Sequence, residues 1–244
     1  MELSKDQIEQ FHKDGFLLIR GFADTKLCDE ILTKAQEHIK LLNQPIETEE
    51  EYLQIQKEDI TLRRLRQVYD REAVFKKWMT NQQIRPILKQ LLGETPVLTL
   101  AHHNSIMTKM PHISSKTSWH QDKRYWNYEG DNLLSVWLAL DDEYIDNGLL
   151  EFIPASHKME FEKDQFDTRT SFVNDLEKNQ EVIKKRVHTE LKKGDIVLFH
   201  CKTLHYAGKN NTDNPKVSFV YTVKGISVKA IDGSRSDYKE VILK

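Results

Sequence analysis

Apolar residues recur at helical spacing through the first third of the chain and at strand spacing beyond it. Ser4 followed three residues later by Gln7 is a capping-box pattern, Ile8 and Phe11 share one helical face, and Gly15 is placed to end the helix. Phe16 to Ile19 then reads as a strand. Asp24 caps a second helix whose apolar stripe runs through Leu27, Ile31, Ala35, Ile39 and Leu42. Residues 44–70 are polar, with Glu47, Glu49, Glu50, Glu51, Glu58 and Asp59 clustered, and predict a solvated loop with some helix. A further helix is expected over 71–92, with Val74, Phe75, Trp78, Leu88 and Leu91 apolar and Gly93 as its stop.

From about residue 96 the pattern changes to short β segments, at 97–101, 105–110, 117–122, 133–140, 149–153, 187–191, 195–200 and 217–224. Turn residues separate them: Asp146-Asn147-Gly148, Gly194-Asp195 and the run Asn210 to Pro215. Eight strands predict a jelly roll, so the expected class is mostly β with α additions. The α-rich N-terminal part, 1–95, would pack on a 96–244 core as a single domain. The charged stretch 158–185 is an insertion between strands, either a lid or a surface excursion.

Charge and cysteine content narrow the partners. In 244 residues, 36 Lys+Arg face 38 Asp+Glu for a net charge of -2, which argues against nucleic acid as the principal partner and leaves a small molecule. Cys28 and Cys201 are too few for a disulfide framework and match a reducing compartment, so the expected location is cytoplasmic. No window approaches 18 consecutive apolar residues, and no membrane insertion is expected.

The densest chemistry lies in Thr117 to Trp126. On a strand, residues two apart point to the same face, so His120 and Asp122 offer an imidazole and a carboxylate side by side. A second histidine would complete the two-histidine, one-carboxylate set that holds one face of iron(II) and leaves the other positions open. His157, His188, His200 and His205 are the downstream candidates.

The order of several segments is more specific than the pair. Trp119-His120-Gln121-Asp122, Ser135 to Asp142, Asn147 to Lys158, Gly194-Asp195 and His205 to Asn210, with Asp14-Gly15-Phe16 near the start, resemble the phytanoyl-CoA dioxygenase family. That resemblance implies a double-stranded β-helix, a cupin-like jelly roll, with iron(II) as cofactor and 2-oxoglutarate and dioxygen as co-substrates. It implies a hydroxylase of an unactivated C–H bond that releases succinate and CO2. His120, Asp122 and His205 would be the metal ligands, because His205 is followed by Gly208 and Asn210 as the family's distal histidine is. His200 is the rival. The carboxylate Asp122 is what related halogenases lack, so its presence implies hydroxylation.

The family usually anchors the far carboxylate of 2-oxoglutarate with an arginine, and the matching position, 11 residues after His205, is Lys216. Lysine gives a point charge without the guanidinium fork. Lys109, Trp137 and Ser218 are the further co-substrate candidates, and Gln121, Arg124 and Trp126 the substrate candidates. Two other readings keep the fold: a cupin-like module that binds metal or 2-oxoglutarate without turnover, suggested by Lys216, and a zinc or nickel site without redox chemistry.

Overall fold

The computed structural model describes residues 1–56 and 60–244; Glu58 and Asp59 of the acidic run lie outside the described residues. The first helix, α1 (Lys5–Asp14), carries both capping-box hydrogen bonds of Ser4 and Gln7, and Gly15 closes it at φ 85°. Strand β1 (Phe16–Ile19) follows, then α2 (Thr25–Lys40), capped by Asp24. The polar region expected to be a loop instead supplies β2 (Ile46–Thr48), the short α3 (Glu49–Leu53) and β3 (Leu62–Arg66). Three arginines disguise β3 in the sequence. Its Leu62 and Leu65 are buried in the core, and pairing with β5 satisfies its backbone. The long helix expected over 71–92 is two, α4 (Ala73–Met79) and α5 (Arg85–Leu92). The chain turns between them, and Pro86 sits in the first turn of α5, where its missing N–H has no partner to lose.

The later strands are β4 (Pro96–Thr99), β5 (Ser105–Lys109), β6 (Thr117–His120), β7 (Leu133–Ala139), β8 (Leu150–Phe152), β9 (Val187–His188), β10 (Ile196–His200), β11 (His205–Ala207), β12 (Lys216–Gly225) and β13 (Glu240–Ile242). Between β8 and β9 lies α6 (Glu177–Ile183). The main sheet has nine strands along the path β1-β10-β7-β12-β5-β3-β2, with β4 and β13 joined through β12. The second sheet has four, in the order β6-β11-β8-β9. From β5 to β8 and from β9 to β12 the chain alternates between the sheets, which is jelly-roll winding. The strand count of the winding matches expectation, but its membership differs: β11 belongs to it, while β4 lies at the margin against β12.

Central strand β7 is buried along its whole length because both faces are covered. One core lies between the outer face of the main sheet and the helices, with Phe75, Trp78, Phe219 and Tyr221 at its centre. A second fills the space between the sheets, with Trp137, Phe152, Phe199 and Val220. The insertion 158–185 is not a loose excursion. Phe161, Phe166 and Phe172 pack with Trp119, Ile153 and Leu204, and the Phe172 amide donates to the Trp119 carbonyl at 2.7 Å. Among the described residues, no helix is long and apolar enough to cross a membrane.

Gly148, at φ 79°, precedes β8; a Cβ there would lie 2.6 Å from the Gly208 carbonyl oxygen, just beyond β11. Left-handed strain and a backbone clash therefore coincide, and Gly148→Ala is expected to destabilise the protein by about 1–3 kcal/mol. Chemical denaturation checks this; an unchanged midpoint would refute it.

Candidate metal centre and its two cavities

Strand β6 ends at His120, and Asp122 opens a single 3-10 turn. Gln121 between them stays extended, at φ -116° and ψ 124°, so the two functional side chains still emerge on one side. Strand β11 pairs with β6 in a register that sets His205 opposite His120, and the two rings lie 4.1 Å apart between centroids. Asp122 Oδ1 is 3.6 Å from His120 Nε2 and 3.8 Å from His205 Nε2. The three residues present one ligand atom each within 4.8 Å of one another.

The backbone fixes which nitrogen each histidine presents. His120 Nδ1 lies 2.8 Å from the Ser118 carbonyl, and His205 Nδ1 lies 3.0 Å from the Thr203 carbonyl. A carbonyl only accepts, so both Nδ1 atoms carry hydrogen and both Nε2 lone pairs face Asp122. Burial reinforces neutrality: it pushes His120 down to about 4 and His205 well below the usual histidine range. Asp122 is pushed up to about 8, again by burial, opposed by the Ser135 hydroxyl and Arg64. A carboxyl so raised gains most from a cation placed beside it. Two neutral imidazoles and one carboxylate match an octahedral metal with open positions.

His200, the rival ligand, is elsewhere. Its Nδ1 accepts from the Lys202 amide and its ring packs on His157. His157 meets the His12 carbonyl, and His188 is exposed on β9.

A different histidine, His103, stands beside the triad. Its Nε2 is 3.4 Å from Asp122 Oδ1 and its Nδ1 3.1 Å from Ser135 Oγ, while Ser135 donates to Asp122 Oδ2 at 3.3 Å. The His102-His103 pair lies in the β4–β5 loop with no spacing to mark it.

Two cavities meet at the triad. The outer one, about 720 Å³, includes His120 and Asp122 in its wall; the inner one, about 60 Å³, includes His120 and His205. Trp126 lines the outer cavity and stacks on His102 at 5.2 Å. The other two substrate candidates do not reach it. Gln121 is buried, donating to the Lys202 carbonyl and accepting from Arg124 Nε, and the Arg124 guanidinium lies 3.4 Å over the Phe166 ring. Arg63, Arg64 and Arg66 line it instead. Placing 44–70 in a loop hid all three.

Lys109, Trp137 and Lys216 line the inner cavity, and Ser218 lies two residues along β12 from Lys216. Three of these four side chains converge on a residue the sequence did not single out. The fully buried Glu143 accepts from Trp137 Nε1 at 2.9 Å, Ser218 Oγ at 2.6 Å and Lys216 Nζ at 3.2 Å. Lys109 donates to the Ser115 carbonyl at 2.6 Å; burial, with Arg63 and Lys216 nearby, pushes it down to about 6.

Known proteins resemble this chain in sequence and in fold. The family model described as Phytanoyl-CoA dioxygenase (PhyH) matches residues 11–218. The chain is 21% identical to the bovine (Bos taurus) phytanoyl-CoA dioxygenase domain-containing protein 1, covering 90% of this chain and 89% of that protein. Among solved structures, the non-heme alpha-ketoglutarate-dependent carbocyclase SnoK from nogalamycin biosynthesis superposes with a TM-score of 0.78 at 19% identity, covering 96% of this chain and 89% of that one. EctD from S. alaskensis, solved with 2-oxoglutarate and 5-hydroxyectoine, gives 0.74 at 19%, covering 92% and 77%. The fold is therefore the cupin-like jelly roll, and with a family model spanning most of its length, the chain belongs to the phytanoyl-CoA dioxygenase (PhyH) family.

Proposed function

We propose that the protein is an iron(II)- and 2-oxoglutarate-dependent hydroxylase of a small molecule. The observation that carries this reading is the paired Nε2 atoms of His120 and His205 facing Asp122, with both tautomers fixed by backbone carbonyls. Family membership and the 2-oxoglutarate bound by a structural neighbour support it. The chemistry supplied by iron(II), 2-oxoglutarate and dioxygen when bound is oxidation of an unactivated C–H bond to an alcohol, balanced by decarboxylation of the keto acid to succinate and CO2.

The chain's own residues hold and shield. His120, Asp122 and His205 would ligate the metal, with Ser135 and His103 orienting the Asp122 carboxylate. Lys109 and Lys216 are the cations available to a carboxylate in the inner cavity, whose Leu150, Phe199 and Val220 limit water. Trp126 offers the outer cavity an aromatic wall. We assign the protein to the cytoplasm on its two free, buried thiols.

Glu143 favours one second reading, a cupin-like module that binds metal without turnover. Its carboxylate already takes the hydrogen bonds of Trp137, Ser218 and Lys216 that an incoming carboxylate would use.

Anaerobic titration of iron(II)-loaded protein with 2-oxoglutarate separates the two. The hydroxylase reading expects a saturable visible charge-transfer band that Asp122→Ala abolishes; bound iron without a band would support the module. Glu143→Gln keeps an acceptor for Trp137 and Ser218 and frees Lys216, so half-saturation is expected to fall about tenfold, in line with one charge-assisted hydrogen bond. Lys216→Ala in that background is expected to reverse the gain, and an unchanged half-saturation would remove Lys216 from the anchor. Lys109 accepts a carboxylate best when charged. With its pKa near 6, the affinity for 2-oxoglutarate should weaken as pH rises above about 6, and Lys109→Met should flatten that dependence.

A further inference from the structure

The outer cavity carries more positive charge than its wall neutralises. Five arginines line it, against the carboxylates of Glu47, Glu51 and Asp122. Asp122 belongs to the triad, and Glu51 is engaged in capping α3, accepting from the Thr48 amide at 2.9 Å. Glu47 bridges Arg63 and Arg64. Arg63 is further fixed by Glu49 and Thr117, and Arg169 by the Tyr52 carbonyl. Arg66 and Arg235 remain; among the described residues neither guanidinium has an ion pair or a hydrogen-bonded partner. Arg64 adds a buried Nε with no hydrogen-bond partner.

Both arginines are held in place by their backbones. Arg66 sits on β3, two residues from Arg64 and on the same face; its amide donates to the Pro45 carbonyl and its carbonyl accepts from Arg71. Arg235 precedes Ser236, which is fully buried. The Ser236 hydroxyl accepts from the Asn127 amide and lies 2.7 Å from His102 Nε2, and His102 stacks on Trp126 of the cavity wall. Burial, then Arg66, then Arg64 push the Arg235 guanidinium below its usual range, which marks the three as neighbours that repel one another. Like charges gathered in a concave wall are costly unless an anion joins them.

We propose that the substrate carries an oxyanion, a carboxylate or a phosphate, which Arg66 and Arg235 grip in the outer cavity with Arg64 as a further donor. Guanidinium forks suit both groups, since each offers paired oxygens. The proposal deepens the hydroxylase reading and rests on it only for the statement that the anion belongs to a substrate. The same wall contains His120 and Asp122, so an anion held there leaves the rest of the molecule within the cavity that the triad borders.

The test is calorimetric titration of the full chain with inorganic phosphate and, separately, with acetate, in metal-free protein and in protein loaded anaerobically with iron(II) and 2-oxoglutarate. At least one anion is expected to bind saturably and in a salt-sensitive way. Arg66→Gln and Arg235→Gln should each weaken it about tenfold, and Arg235→Lys should weaken it less, keeping charge but losing the fork. Tighter phosphate binding would identify a phosphate-bearing substrate and tighter acetate binding a carboxylate. Saturable binding untouched by both Gln variants would mean an adventitious ion only and overturn the proposal, as would no binding of either anion. The metal-free arm does not depend on the charge-transfer band, so loss of that band and loss of anion binding are read separately.

Discussion

The centre of this molecule depends on one cross-strand register, the pairing of β6 with β11 that sets His205 opposite His120. Side chains alternate along a strand, so a slip of one residue would turn an imidazole away and dissolve the triad. Strand β11 is only three residues long, too short to hold a register by its own ladder. The segment before it is therefore tied at several points. The Thr203 hydroxyl donates to the Gly15 carbonyl, the Leu204 amide to the Ser156 hydroxyl, and the Leu204 carbonyl accepts from the Ile153 amide. The Thr203 carbonyl that anchors His205 Nδ1 thus belongs to a peptide segment fixed from the end of α1 and from the turn after β8. The opening helix, distant in sequence, helps to aim the His205 imidazole.

Buried charge imposes the second constraint. Lys216 and Glu143 are both withdrawn from water, and their attraction offsets much of their desolvation only because Trp137 and Ser218 complete the carboxylate's hydrogen bonds. Removing one partner alone would leave an uncompensated charge, at a cost of about 3–5 kcal/mol. The pair is a structural feature of the inner cavity as well as a candidate anchor. An entering carboxylate must compete with Glu143 for Lys216 or recruit Lys109, which burial holds down to about 6 and which a nearby anion would recharge.

Legibility in the sequence followed the strength of each local signal. Capping residues marked α1 and α2 because Ser4, Asp24 and Gly15 act within one turn of their own positions. The cluster of His120, Asp122 and His205 was legible as a candidate because spacing and order single it out, and the fold brings the three together. Strand β3 was not, since its two leucines are scattered among arginines and its place is decided by β5, about forty residues away. That one misplacement concealed Arg63, Arg64 and Arg66 together. Glu143 was invisible for a related reason. An acid in the Asp141-Asp142-Glu143 run reads as surface charge, and only the fold brings Trp137, Lys216 and Ser218 around it. Gln121 and Arg124 lie outside the outer cavity for local reasons: the extended backbone at Gln121 alternates its side chain away from His120 and Asp122, and the 3-10 turn carries Arg124 over Phe166.

The triad also divides space. His120 borders both cavities, Asp122 only the outer and His205 only the inner, so a metal held by all three would face two compartments of different character. The inner is small and largely apolar, with Arg63, Lys109 and Lys216 in its wall, and suits a compact diacid held in one orientation. The outer is larger and rimmed by arginines, and suits a molecule whose charge is held at one place while its reacting carbon reaches another. The wall the two cavities share is Arg63, His103, Met107, Thr117 and His120, and beyond it each compartment has its own electrostatics. Substitutions at Arg66 or Arg235, which line the outer cavity alone, would then change the anion site while leaving the lining of the inner cavity intact, whereas Arg63 lines both.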